Sequence, residues 1–182
     1  MLETLSIRNI VLVEKLDIDF GEGLCVLTGE TGAGKSILLD ALGLALGSRA
    51  DLSLIRANSQ YGSVSANFNI LSNFDAKNIL KLNDIEVSDV VNLRRSLNSD
   101  GKSKAFCNDI QVSVGFLKKI GDCLAEIQSQ GSQNELYSTT VQMKLLDEYS
   151  QNNQLIFELK NKFLKKSKVS KELESLEKKY TE

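Results

Sequence analysis

The stretch Gly29-Glu30-Thr31-Gly32-Ala33-Gly34-Lys35-Ser36 fits the pattern G-x-x-x-x-G-K-[ST] at each of its fixed positions. Its glycines allow the backbone to curl tightly, so that successive N–H groups point at one anionic centre. Lys35 supplies a positive charge for the β- and γ-phosphates, and the Ser36 hydroxyl can bind Mg²⁺. The stretch therefore predicts a nucleotide site at the N-terminus of a helix.

The residues on either side of this loop agree with that prediction. Leu24-Cys25-Val26-Leu27-Thr28 is a short apolar run, which predicts a buried strand. The run from Ile37 to Leu46 is apolar on almost every side, which predicts a buried helix, and Gly47 is the expected helix stop. Strand, loop and helix thus follow one another in the order that a phosphate-binding loop requires.

Alternating apolar and polar residues predict an antiparallel sheet beside this unit. Asn98-Ser99-Asp100-Gly101-Lys102 predicts the turn of a hairpin, and Asn108-Asp109 a further turn. We expect a helix over 114–121. The predicted strands are 5–9, 13–20, 63–70, 90–97, 103–107 and 123–127.

The composition excludes several functions. The chain has 182 residues, no histidine and three cysteines without metal-ligand spacing, so Ser–His and Cys–His catalysis and most zinc sites are excluded. The formal net charge of −2 gives no overall attraction to nucleic acid. No signal peptide or membrane-spanning run is visible, so we expect a cytoplasmic protein without a membrane partner.

The last part of the chain has a different pattern. From Val141 onward there is no glycine, and apolar residues recur at spacings of three and four, as in a coiled coil. We expect one long helix there, and two domains: 1–140 as a globular lobe and 141–182 as the start of a coiled-coil arm. Its basic stretch can touch DNA phosphates, but we interpret it as the solvated side of the coiled coil. Its lysines are Lys160, Lys162, Lys165, Lys166, Lys168 and Lys171.

This arrangement resembles the head of the structural-maintenance-of-chromosomes (SMC) group of ABC-type ATPases. Within that group it is most similar to the RecN family of bacterial DNA repair proteins, from Met1 to about Tyr149. The resemblance implies an α/β P-loop NTPase head, N-terminal lobe only, with a mixed and antiparallel sheet followed by the coiled-coil helix. The stretches that carry it are 5–9, 27–42, 47–51 and 100–108.

The resemblance also implies roles for single residues. It makes ATP and Mg²⁺ the cofactors, held by residues 29–36, with Ser36 and Gln130 at the metal. Lys35 and Gln130 would serve catalysis, and Arg8 and Asn9 would approach the nucleotide. Asp40, one turn after Ser36, can orient the metal shell, although a surface or pairing role is the simpler interpretation.

The family's role implies the partners: the C-terminal lobe of the same protein, a second head in an ATP-dependent dimer, and DNA bound without sequence preference. It also implies action in double-strand break repair and recombination, and a nucleoid-associated location. In this chain the loop glutamine Gln130 is kept, but the family's neighbouring histidines are absent.

The family places its Walker B carboxylates and signature segment after a returning coiled coil, and neither occurs here. We therefore expect hydrolysis to need that second lobe and the isolated chain to be inactive. Two alternatives stay open. One is a catalytically silent nucleotide-binding and coiled-coil module, or the product of a truncated gene. The other is an unrelated P-loop kinase, which the antiparallel strands and the heptads disfavour.

Overall fold

The computed structural model describes residues 1–28, 34–127, 139–150 and 152–180. The chain divides into two compact units, Met1–Ile127 and Gln128–Glu182. The first unit contains a β-sheet with helices packed on it, and the described part of the second is helical.

One sheet organises the first unit. Every neighbouring pair of its strands is antiparallel, which confirms the antiparallel part of the predicted fold. The strand order is β2-β1-β3-β4-β5-β6. The strands are β1 (Leu2–Ile10), β2 (Val13–Asp19), β3 (Tyr61–Asn69), β4 (Val90–Asn98), β5 (Ser103–Cys107) and β6 (Ile110–Val112).

The two faces of the sheet differ in polarity, as the period-two pattern predicts. The inward face buries a continuous apolar set, listed here by its central members: Leu5, Ile7, Val64, Ala66, Phe68, Val91, Leu93 and Leu97. The outward face is polar, and its side chains bond across the strands. Asn92 Nδ2, for example, donates to Ser65 Oγ at 2.8 Å and to Asn67 Oδ1 at 2.6 Å. One side of the sheet is therefore left for helices and the other for solvent.

The turns use the expected residues. Between β4 and β5, the Asn98 N–H donates to Lys102 O at 2.9 Å and Gly101 has φ +87°. Between β5 and β6, Asn108 and Asp109 have φ values of +48° and +61°. Asparagine, aspartate and glycine tolerate this left-handed region better than other residues do. Both predicted turns are confirmed.

Three helices belong to the first unit: α1 (Lys35–Ala45), α2 (Phe74–Lys81) and α3 (Val114–Leu124). Helix α1 lies on the inward face, where Ile37, Ala41 and Leu44 join the sheet residues in one core. Leu39 is 44% exposed, so the helix is buried on one side rather than all round. A short 3-10 helix, Leu52–Leu54, follows α1.

Helices α1 and α3 approach each other closely through two glycines. Gly47 ends α1 with φ +90°, as predicted, and a Cβ placed there would lie 2.5 Å from Lys118 N. A Cβ placed on Gly121 of α3 would lie 2.5 Å from Leu46 O. These distances leave no room for a side chain, so the packing of α3 against the end of α1 requires glycine at both positions.

Two predicted strands were wrong. The run Leu24–Thr28 lies outside every strand, and Leu24 and Val26 are 93% and 70% exposed. Its apolar residues indicate burial against a neighbour, but no strand of the described residues pairs with it. Cys123 and Leu124 belong to the last turn of α3. The following residues leave the helix without pairing, and Ile127 packs beside Gly43 of α1.

The described part of the second unit contains two helices, α4 (Thr139–Tyr149) and α5 (Asn153–Tyr180). The prediction of one uninterrupted helix from Val141 was therefore wrong. The Ser150 hydroxyl donates to Leu146 O at 2.6 Å, and Asn152 N donates to Asp147 O at 3.2 Å. Such local bonds from serine and asparagine compete with the helical pattern, and they occur where α4 ends. Asn152 O then accepts from Ile156 N at 3.0 Å, at the start of α5.

Candidate nucleotide-binding site

The N-terminus of α1 has the properties of an anion site. Gly34 precedes the helix, offers no side-chain cap, and accepts from Leu38 N at 3.1 Å. Lys35 and Ser36 are both exposed in the first turn, which contains no acidic residue. The partial positive charge of this helix end is therefore reinforced by Lys35 and is not offset by a carboxylate of its own turn. A Cβ placed on Gly34 would meet none of the described residues within 4 Å.

The rest of the predicted loop, residues 29–33, lies outside the described residues, as does Gln130. The roles predicted for Gly29, Glu30, Thr31, Gly32, Ala33 and Gln130 therefore stay predictions. Asp40, the alternative metal-orienting residue, is exposed on α1.

Arg8 lies on the outward face of the sheet. It is opposite Lys15 of β2, whereas its neighbour Ile7 points into the core that α1 covers. Its guanidinium donates to Leu16 O at 3.1 Å and pairs with the Asp17 carboxylate at 2.7 Å. Hydrogen bonds from Arg8 and Ser6 hold the pKa of Asp17 below its usual value. The described contacts of Arg8 thus connect β1 to β2, and its side chain is not on the α1 side of the sheet.

Asn9 occupies a backbone conformation that few residues adopt. Its φ is +53°, and Val11, two residues later, has φ +48°. Asn9 O accepts from Arg56 N at 3.0 Å, and Val11 N donates to Leu54 O at 2.8 Å. These bonds attach the end of β1 to the segment around the 3-10 helix and stabilise the unusual conformation. The structure therefore brings Asn9 to the segment that follows α1.

The buried guanidinium of Arg95 was not predicted from the sequence. Arg95 lies at an inward position of β4, between Leu93 and Leu97, and is 3% exposed. Its Nη2 donates to Ser103 Oγ at 2.9 Å, while Nε and Nη1 have no partner in the described part of the chain. Burial lowers the pKa of the Arg95 guanidinium. An arginine in an apolar position of an alternating strand is the sequence signal that would have identified it.

A family model described as "AAA domain" matches residues 4–182. The chain belongs to the AAA domain family. Membership of this family implies that the chain binds a nucleotide together with a divalent metal. The exposed Lys35 and Ser36 at the start of α1 are consistent with such binding.

The chain is also similar to curated proteins named DNA repair protein RecN. It is 36% identical over 176 residues to the protein from Vibrio cholerae, covering 97% of this chain and 32% of that protein. It is 34% identical over 185 residues to the protein from Haemophilus influenzae, covering 100% of this chain and 33% of that protein. The resemblance to the RecN family is therefore confirmed, and the chain spans about a third of the length of these relatives.

Solved structures show the same fold. One comes from work on the ATP-driven dimerization and DNA-stimulated activation of SMC ATPases. It matches with a TM-score of 0.60 and 23% identity, over 81% of this chain and 98% of that one. An Smc head domain from Pyrococcus furiosus matches with a TM-score of 0.56 and 22% identity, over 67% of this chain and 32% of that one. The fold of an SMC-type head lobe is thereby confirmed.

The described residues contain neither a membrane-spanning helix nor a metal-binding cluster. None of the helices there is long and apolar enough to cross a membrane. The same residues contain no cluster of three or more cysteine, aspartate or glutamate side chains placed to hold a metal ion.

Proposed function

We propose that this chain is the ATP-binding N-terminal lobe of a RecN-like ATPase that acts in DNA double-strand break repair and recombination. One observation carries the proposal. In an SMC-type fold, α1 begins with an exposed Lys35 and Ser36, which are the last two residues of a complete phosphate-loop sequence. In this proposal residues 1–140 form the lobe, residues 141–182 begin a coiled-coil arm, and the protein works in the cytoplasm at the nucleoid.

The chain's own residues would bind Mg²⁺–ATP in the following way. The loop amides and the N-terminus of α1 would hold the phosphates, with the Lys35 ammonium offsetting their charge. The Ser36 hydroxyl would take one position on the metal, and Gln130 another, where it would also orient water. Phosphoryl transfer to water depends mainly on positioning and charge neutralisation. Arg8 and Asn9 stay proposed nucleotide contacts, although the Arg8 side chain is engaged by β2.

Hydrolysis would need groups that this sequence does not contain. No strand-like apolar run ends in paired Asp-Glu, and no signature segment occurs. We assign those groups to a C-terminal lobe, and the second layer of the ATP site to a second head. The exposed run Leu24–Thr28 supports this assignment, since its apolar side chains have no strand beside them among the described residues.

Calorimetry of the purified chain with Mg²⁺–ATP tests the proposal. Lys35→Ala is expected to weaken binding by about tenfold or more, because a charge-assisted contact to phosphate is lost. Lys81→Ala, which removes an equal charge from the exposed end of α2, is the matched control and should bind like the wild type. Equal affinities of the Lys35→Ala and wild-type chains would show that α1 does not hold the phosphates.

A turnover assay separates the ATPase from the catalytically silent module. The chain alone should release negligible phosphate, and addition of a C-terminal lobe from a RecN protein should restore turnover, which Gln130→Ala should then reduce. Lys35-dependent turnover by the chain alone would place the catalytic groups within these 182 residues. Binding without turnover, even with the added lobe, would favour the silent module.

A further inference from the structure

Helix α5 carries a concentrated positive charge. Residues 160–171 contain six lysines and none of the chain's 24 acidic residues, although the whole chain has a formal net charge of −2. All six lysine side chains are exposed. Their positions are Lys160, Lys162, Lys165, Lys166, Lys168 and Lys171.

These lysines are not accounted for by pairing within the helix. Lys118 and Asp122 of α3 show the usual arrangement, an ion pair four residues apart with a 2.9 Å contact. None of the six α5 lysines forms such a pair with any described residue. Several instead face one another at spacings of three or four, as Lys162 and Lys166 do, and like charges at that spacing destabilise a helix. A bound polyanion would remove this repulsion.

Three of the lysines lie away from the apolar seam of the same helix. Successive residues turn by about 100°, so Lys160, Lys168 and Lys171 fall within about 80° of one another. The centre of this group is roughly 155° around the helix from the centre of the seam residues Leu159 and Leu173. We call these three the outer lysines. Their position leaves them exposed even when another helix covers the seam.

We infer that the outer lysines bind the phosphate backbone of duplex DNA, without reading its sequence. The run 160–171 extends about 16 Å along the helix axis, and a duplex presents one phosphate charge per about 1.7 Å of its own axis. Lysine is a point charge on a flexible stem, which suits phosphate contacts that carry no sequence information. This inference deepens the proposed role in DNA repair, because it names the residues that contact DNA.

An anionic membrane is the other polyanionic surface to consider. A helix that lies on a membrane separates a charged side from an apolar side. In α5, Lys162 and Lys166 lie on the seam side, the outer lysines lie on the opposite side, and Lys165 lies between them, so charge surrounds the helix. The distribution favours a partner that is recognised by charge alone.

The test uses the full chain, without nucleotide, and a random-sequence duplex of 30 base pairs measured by fluorescence anisotropy over a range of salt concentrations. The triple variant Lys160→Gln, Lys168→Gln, Lys171→Gln keeps residues of similar helix propensity. The affinity of this variant for the duplex at low salt should fall by about tenfold or more. The slope of the logarithm of the binding constant against the logarithm of the salt concentration should fall in magnitude by about 2.7, or about 0.9 for each lost phosphate contact. A second duplex of unrelated sequence should give the same values.

A second triple variant controls for the loss of three positive charges. Lys77→Gln, Lys102→Gln and Lys118→Gln remove three lysines that each have a carboxylate partner. This variant should keep the wild-type slope. The triple variant of the outer lysines should bind Mg²⁺–ATP like the wild type, so a failure of the nucleotide proposal and a failure of this inference are distinguishable.

Two results would overturn the inference. One is a triple variant of the outer lysines that binds duplex with the wild-type slope while circular dichroism shows its helix intact. The other is a wild-type chain that binds phosphatidylserine vesicles through the outer lysines but does not bind duplex.

Discussion

Replacing Gly121 with alanine tests the packing that holds α1 in place. The added methyl would lie 2.5 Å from Leu46 O, and 3.0 Å and 3.1 Å from Leu46 Cα and C. Because all three are backbone atoms, no side-chain rotation relieves the contact. The helices must move apart at the point where the C-terminal end of α1 meets α3.

Two opposing effects set the change in the free energy of unfolding. Alanine in place of glycine in a helix stabilises by about 1 kcal/mol. Overpacking a well-filled site costs about 1–3 kcal/mol, and we take the upper part of that range because the obstacle is backbone. The net expectation is a loss of about 1–2 kcal/mol in the free energy of unfolding. With a urea m-value of about 2 kcal/mol/M, the midpoint falls by about 0.5–1 M.

Gly115→Ala, in the first turn of the same helix, is the matched control. A Cβ there meets only Ser113 Oγ, at 3.9 Å, so the helix term acts without the clash. The free energy of unfolding of this variant should equal that of the wild type or exceed it by up to about 1 kcal/mol. Urea titration followed by circular dichroism measures both. If Gly121→Ala is as stable as Gly115→Ala, the close approach of α1 and α3 is not a feature of the folded protein.

Three further predictions concern other parts of the chain. Burial raises the pKa of the Cys107 thiol to about 11, so a maleimide at pH 8 should label the exposed Cys25 and leave Cys107 unlabelled until the chain unfolds. Because the pKa of Cys107 is raised, its burial contributes a stability that is fully present below the ordinary thiol pKa of 9.0 and is lost as the pH rises towards 11. Cys107→Ala should reduce this loss of stability. Arg95→Met should raise the free energy of unfolding by about 1–3 kcal/mol in chemical denaturation, because two of its buried nitrogens lack partners among the described residues. A destabilised variant would show that these nitrogens have a partner in the folded protein. Leu159→Asp with Leu173→Asp, at seam positions that are 70% and 55% exposed, should abolish helix association in analytical ultracentrifugation, and nucleotide affinity should stay unchanged.

The sequence by itself determined those features that depend on neighbouring residues. Alternation located β2 to within a residue, and Leu16 and Ile18 lie on its less exposed side. The Asn98–Lys102 turn and the Gly47 stop were also predicted correctly, because a left-handed backbone position selects its own residue types. The phosphate-loop prediction has the same local basis, because the chemistry that it assigns lies in eight consecutive residues.

Only the tertiary structure decided the features that depend on distant partners. Leu24–Thr28 has a strand-like sequence, but a strand forms only where another strand accepts its hydrogen bonds. The position of Arg8 opposite Lys15 follows from sheet register, which the composition of a single strand does not specify. Gly121 and Leu46, which approach each other closely, lie 75 positions apart in the chain (121 − 46). Local patterns select the elements, and the bonds and contacts between elements select their places.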